Sequence, residues 1–201
     1  MTIDLLIALI GYAFVSSVTP GPNNLMLLAS GMNFGFVRTL PHMLGISMGF
    51  GAMFVVIAAG LGQIFEAVPQ LFTVLKVLAV LYLTYLAWKI ATAAPLSDRA
   101  TGSEQDGKPF SFLQAAAFQW VNPKAVAMAI TTLTVYTPQQ PSWGVIGLVA
   151  FVFSAINLPS VGVWTVIGQQ VRRLLANPSA HRVFNIGCAV LLLASLYPIL
   201  T

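Results

Sequence analysis

Residues 17–28, SVTPGPNNLMLL, place two prolines, a glycine and two asparagines inside an apolar run that begins at Ile3. Proline in a helix interior removes a hydrogen bond and costs about 3 kcal/mol, so Pro20, Gly21 and Pro22 predict a broken helix. The amide groups freed by such a break, and partial charges of about half an electron at the half-helix ends, suit the carboxylate and ammonium of a zwitterion. The segment therefore favours a binding site for a polar solute, with a simple packing kink as the alternative.

A second break of the same character occurs in the motif VNPKA, where Asn122 and Pro123 directly precede Lys124. The amides of Asn23 and Asn122 can both donate and accept hydrogen bonds, so each can bind a solute or satisfy the broken backbone; Asn24 is the weaker candidate for the solute. Lys124 is predicted to bind a substrate carboxylate, or to lose its proton and take part in coupling. The alternative is that its side chain extends to the cytoplasmic face.

The motif INLPSVGVW repeats the combination of proline and polar residues in the fifth apolar stretch, where Asn157, Pro159 and Ser160 are candidates to line the same cavity or to form a packing kink. His42 is a candidate proton carrier because of its usual pKa, but we expect it to lie at the membrane interface. We expect His181 to lie in a solvated cytoplasmic turn.

The composition decides which solvent these residues face. The chain of 201 residues is 58% hydrophobic and 7% charged, whereas soluble chains carry about 25% charged residues. A soluble domain so poor in charge would expose too much apolar surface, so the surroundings must be mostly lipid. The nine Lys and Arg residues form no basic cluster, which argues against a nucleic-acid partner.

Six stretches are apolar and long enough to cross a bilayer, at about 20 residues each. They run from about Ile3 into the 20s, and over about Leu40–Leu61, Leu71–Ala91, Phe112–Val135, Trp143–Ile167 and Val183–Leu200. The predicted fold is therefore an all-α integral membrane protein with about six transmembrane helices. Residues 92–109 are a soluble-looking linker, which divides one membrane domain, 1–201, into three-helix halves at 1–91 and 110–201.

Lysine and arginine in the connections predict the orientation, because they accumulate on the cytoplasmic side. One side holds Arg38, Lys89, Arg99, Lys108, Arg172, Arg173 and Arg182. The other side holds both termini, the turn near Glu66 and the turn YTPQQPSW, with no Lys or Arg except Lys76 inside the third span. Both termini are therefore predicted to lie outside the cytoplasm and the linker inside.

An odd number of spans in each half means that the second half inserts upside down relative to the first, which suits an inverted repeat with a broken first helix in each half. Gly45 and Gly49 have the spacing of a close helix contact, which we interpret as packing within the chain, with a homodimer contact as the alternative. No carboxylate lies deep in a span, since Asp4 and Glu66 are at span ends and the other acids are in the linker. A relay based on a buried acid is therefore not visible.

The segments TPGPNNLMLLASGMNFGF, LGISMGFG, LAVLYLTYLAWKI and FLQAAAFQWVNPKAV resemble, in order and spacing, the LysE/RhtB family of amino-acid exporters. YLAWKIATA and FQWVNPK are most similar to the branch that exports cysteine and O-acetylserine. The resemblance implies an inner-membrane protein that exports amino acids, in exchange with protons. The family motif maps onto Thr19, Pro20, Gly21, Pro22 and Asn23, then Asn122, Pro123 and Lys124.

Four functional alternatives are considered beside export of a neutral amino acid of the cysteine/O-acetylserine or homoserine/threonine type. Export of basic amino acids is disfavoured because no deep carboxylate exists to bind a cationic side chain. A redox carrier would need a cysteine pair, and Cys188 is the only cysteine. An intramembrane enzyme is disfavoured because no nucleophile–base pair or metal-ligand spacing is visible, so no cofactor or metal is predicted. A passive channel stays open at this point.

Overall fold

The computed structural model describes residues 1–61, 70–93, 108–174 and 177–197, and within them the protein contains eight α-helices and no strand. Most of the predicted linker, including Arg99, and the turn near Glu66 lie outside the described residues. The helices are α1 Ile3–Val18, α2 Pro22–Phe34, α3 Phe36–Val56, α4 Gln70–Ala91, α5 Phe112–Phe118, α6 Pro123–Val135, α7 Trp143–Leu174 and α8 Pro178–Ala194.

The first predicted break is confirmed between α1 and α2, whose axes differ by 54°. Thr19 ends α1 in an extended conformation, and Gly21 is fully extended with φ −176° and ψ 179°. Pro22 then occupies the first turn of α2, where its missing amide hydrogen costs nothing. Prolines on either side of an extended glycine thus end one helix and start the next.

The second predicted break is confirmed at Asn122. Helix α5 ends at Phe118 and a 3₁₀ turn covers Gln119–Val121. Asn122 is extended, and its side chain accepts a hydrogen bond from the Lys124 amide at 3.2 Å. Pro123 is the first residue of α6, so this break repeats the Asx cap and proline start that sequence favours at a helix N-terminus.

The all-α membrane fold is confirmed by several long apolar helices in the described residues. Phe36–Gly60, Thr73–Ala91 and Trp143–Arg172 are each long and apolar enough to cross a bilayer, and the bent pair α1–α2 makes a fourth candidate span. Helices α6 and α8 are apolar but shorter. Large apolar side chains are widely exposed, as lipid-facing surfaces require; examples are Ile3, Leu81, Phe151, Val183 and Tyr197.

Two predicted boundaries in the second half are wrong. Helix α7 continues to Leu174 instead of ending near Ile167, and Pro159 lies inside it without ending it. Helix α8 begins at Pro178, where Asn177 caps it by accepting a hydrogen bond from the Ser179 amide. His181 consequently lies within α8 and is buried, so the expectation of a solvated turn is also wrong.

Helix α7 lies at the centre of the fold and packs against α1, α2 and α3, while α3 also packs against α5, and α4 packs against α8. Glycines allow the closest crossings. A side chain at Gly31 would collide with the Thr165 carbonyl of α7, and one at Gly168 with the Leu28 carbonyl of α2. Gly45 and Gly49 face α5 in the same way, so the prediction that this face packs within the chain is confirmed.

Candidate functional site

The carbonyl end of α1 is capped by side chains from other helices. Asn24 donates from Nδ2 to the Ser17 carbonyl at 2.9 Å and to the Thr19 carbonyl at 2.8 Å. Trp164 of α7 donates from Nε1 to the Val18 carbonyl at 3.1 Å. The carbonyls of Ser17, Val18 and Thr19 at the break are therefore satisfied by protein, as buried carbonyls in hydrocarbon must be.

Lys124 joins the two breaks directly. Its Nζ atom donates to the Thr19 carbonyl at 2.6 Å and lies 3.4 Å from the Pro20 carbonyl. An ammonium in the first turn of α6 is repelled by that helix's own dipole, but here it meets the negative carbonyl end of α1. Gly21 provides the space, since a Cβ atom there would lie 2.8 Å from Lys124 Cδ. The side chain is therefore directed at the carbonyl end of α1.

Asn23 pairs with Gln119 rather than with the broken backbone. Asn23 Nδ2 donates to Gln119 Oε1 at 2.8 Å, and Gln119 Nε2 donates back to Asn23 Oδ1 at 3.3 Å. Gln119 Nε2 also donates to the Ala115 carbonyl at 2.8 Å. Gln119 is fully buried, and sequence reasoning did not single it out as a site residue. A reciprocal amide pair of this kind links the first half of the chain to the second across the site.

Asn157 of α7 connects three helices at the same level. Its Nδ2 atom donates to Ser17 Oγ at 3.1 Å, and its Oδ1 atom accepts from Ser47 Oγ at 2.9 Å. Asn157 is buried and lines the central cavity, whereas its neighbours Pro159 and Ser160 do not. The Ser160 hydroxyl instead bonds within α7, to the Ile156 carbonyl at 2.7 Å.

These side chains surround a small central cavity of about 30 Å³. It brings together five of the predicted residues: Gly21, Asn23, Asn122, Lys124 and Asn157. Its other polar lining comes from Ser16, Ser17, Asn24 and Gln119, and its apolar lining from Ile46, Phe50, Ala125, Met128 and Val161. No acidic residue lines it among the described residues. Such a volume holds about two water molecules at most, so a larger ligand requires the walls to separate.

The remaining predicted residues, Pro20, Pro22 and Pro123, line a second and larger cavity of about 590 Å³ on the other side of the breaks. Gly21 and Lys124 line both cavities. Helix α2 starts beside them with no side chain capping its N-terminus, so its first amide groups have no acceptor within the helix. An ammonium and a positive helix end therefore lie together, which is an arrangement that binds carboxylates.

His42 lies inside the protein, and its position at the membrane interface stays a prediction. Its ring is buried, packs 5.1 Å from the Phe110 ring and makes no hydrogen bond to any described residue. It lines a third cavity of about 500 Å³, together with Ser30, Asn33 and Lys89. That cavity does not include the residues of the two breaks.

Comparison with known proteins identifies a family and similar proteins that match nearly the whole chain. A family model described as "LysE type translocator" matches residues 14–195. The cysteine/O-acetylserine efflux protein of Escherichia coli O139:H28 (strain E24377A / ETEC) is 31% identical over 199 residues, covering 96% of both chains. The protein of the same name from Shigella sonnei (strain Ss046) is 31% identical over 198 residues, covering 96% of this chain and 95% of its own. No solved structure matches.

Proposed function

Because the chain belongs to the LysE family of translocators, we propose that it exports a neutral amino acid or derivative, of the cysteine/O-acetylserine or homoserine/threonine type, across the inner membrane. Relatives that match over nearly the full chain are named for efflux of cysteine and O-acetylserine, which supports this substrate class. The resemblance found in the sequence and the family match agree.

The observation that carries the proposal is the position of Lys124 at the junction of the two broken helices. Its ammonium, together with the uncapped start of α2, supplies positive charge for a carboxylate. Oxygen atoms of Ser17, Asn23 and Asn157 each accept one hydrogen bond from protein and have a second lone pair for an ammonium. The absence of an acid from the described cavity lining disfavours a lysine or arginine side chain as cargo, because a buried cation needs a partner.

Substrate binding must change this site, since the cavity is far smaller than an amino acid. We propose that the carboxylate takes the place of the Thr19 and Pro20 carbonyls as the partner of Lys124. Losing that contact removes one link between the breaks, the Asn23–Gln119 pair being another, and this lets the two halves rock about the substrate. Lys124 then binds the substrate and, in its absence, holds the two breaks together.

The two halves, 1–91 and 110–201, are proposed to be inverted repeats. The element order supports this, since each half begins with a broken pair of helices followed by two more. The packing also supports it, because α1 packs on α7 as α5 packs on α3, and α4 pairs with its counterpart α8. We retain the predicted orientation, with both termini outside the cytoplasm. A homodimer would have to use a face other than Gly45–Gly49, which α5 covers.

Proton exchange is the proposed driving force, and it rests on the resemblance alone. The test is efflux from liposomes that hold the purified protein and labelled cysteine, O-acetylserine, threonine, leucine or lysine, with and without a proton gradient. We expect saturable efflux of neutral amino acids that the gradient accelerates. Absence of efflux for every amino acid would contradict the export proposal, preference for lysine would contradict the neutral class, and non-saturable flux would indicate the passive channel.

A further inference from the structure

Lys76 is a cation to which the proposed function gives no role. It lies in α4 inside a candidate span. Placing a lysine within a membrane span costs free energy, so such a residue is a candidate for a functional role. Its side chain is exposed and makes no ion pair or hydrogen bond with any described residue. By contrast, Lys89, which is also exposed and lies near the other end of α4, has its Nζ atom 5.8 Å from the centre of the Tyr85 ring. Lys76 is therefore a cation without a described partner.

The surroundings of Lys76 provide a place for a ligand. It lines the cavity of about 590 Å³, a volume within the roughly 300–1,000 Å³ range of small-molecule pockets. One wall comes from α4, and the facing wall comes from α6 as far as Ile130. The walls are mainly apolar, with Leu75, Trp120 and Ile130 among them. Lysine ammonium groups lie at two places on this apolar surface, Lys76 on α4 and Lys124 at the break.

The same cavity adjoins the central site and shares two lining residues with it. Gly21 and Lys124 contribute to both, so a movement of the Lys124 side chain would open a path from the central site into the larger cavity. From the break the cavity follows α6 toward its C-terminal end, which the predicted orientation places outside the cytoplasm. The central cavity is too small for an amino acid, and this neighbour is large enough.

We propose that this cavity is a release site on the extracytoplasmic side, in which the Lys76 ammonium binds the carboxylate of the exported amino acid after it leaves Lys124. The apolar walls accept the side chain of a neutral substrate, and the ammonium of the substrate faces the open mouth. This inference rests on the proposed function and adds to it a second binding residue and a direction of movement.

The test compares transport from the two faces of oriented proteoliposomes for wild type, Lys76→Gln and the control Lys89→Gln, which removes the same charge from the same helix outside this cavity. We expect Lys76→Gln to raise KM for substrate added at the extracytoplasmic face about tenfold, the effect of losing one charge-assisted hydrogen bond. KM at the cytoplasmic face should change less than twofold. Lys76→Arg should restore most of the loss, and Lys89→Gln should leave both KM values unchanged.

An analogue without the carboxylate, the amino-acid amide, distinguishes a binding role of Lys76 from a structural role. The extracytoplasmic KM for the amino-acid amide should be the same in wild type and Lys76→Gln, because no carboxylate reaches Lys76. Equal KM changes at both faces, or no change, would overturn the release site while leaving the export proposal intact. An effect that persists with the amide and depends on anionic lipid would instead identify a lipid site. Failure of wild type to transport from either face would contradict the proposed function itself.

Discussion

Asn24 provides the sharpest test of how the first broken helix is held. Its side chain is 3% exposed and donates to the carbonyls of Ser17 and Thr19. Asn24→Ala removes both bonds, but Thr19 keeps its contact with Lys124 at 2.6 Å. The Ser17 carbonyl loses this donor in a buried position, which costs about 1–3 kcal/mol, and the second lost bond adds about 0.5–1.5 kcal/mol. We expect a total loss of about 2–4 kcal/mol in the free energy of unfolding.

Asn23→Ala is the matched control for this change, because it removes the same amide from the neighbouring residue. Asn23 is only partly buried and bonds to the Gln119 side chain, which keeps its bond to the Ala115 carbonyl and lines the central cavity, where water can replace the lost donor. We therefore expect a stability loss of about 1 kcal/mol but a clear effect on transport. Equilibrium unfolding of both variants in the same detergent measures the difference. Equal stabilities, or a larger loss for Asn23→Ala, would refute the assignment of Asn24 as the brace of the broken backbone.

Two further predictions concern packing and orientation. Gly31→Ala should lower the free energy of unfolding by about 1–3 kcal/mol through overpacking against α7. The control Gly187→Ala should not lower it, because a Cβ atom there meets nothing within 4 Å. Equal shifts in the melting temperature of the two variants would contradict this prediction. The orientation can be tested with a membrane-impermeant maleimide in a Cys188→Ala background. The reagent should label Thr2→Cys in intact cells, but it should label Thr92→Cys only after permeabilisation. The reverse pattern would contradict the predicted orientation.

The two breaks could be predicted because their signal is local. Proline cannot donate a backbone hydrogen bond wherever it lies, but Pro159 stays inside α7. At the breaks, a neighbouring glycine or asparagine adds to the signal of Pro20, Pro22 and Pro123. The start of α8 also has a local signal, Asn177 before Pro178, but hydropathy alone placed it at Val183, because the polar first turn lowers the mean. Hydropathy therefore underestimates the length of a helix whose first turn is polar and is stabilised by a capping residue.

The partners of the breaks could not be predicted, because they come from distant parts of the chain. Gln119 lies 96 residues from Asn23, and Trp164 lies 146 residues from Val18. Sequence placed Asn23 and Asn24 side by side and left open which one supports the backbone. Only the direction of each side chain decides it, and Asn24 is the one directed at the end of α1. Lys124 was identified from sequence as a candidate ligand for a carboxylate, but its contact with the other break was not predicted.

The central claim is that Lys124 binds the carboxylate of the exported amino acid. The most direct measurement compares transport of an amino acid with that of its amide, which lacks the carboxylate, in wild-type and Lys124→Gln proteoliposomes. We predict that wild type prefers the amino acid by about tenfold or more in kcat/KM, as one charge-assisted bond provides, and that Lys124→Gln transports both at similar, low rates. A Lys124→Gln protein that still prefers the amino acid by the wild-type ratio would contradict the claim.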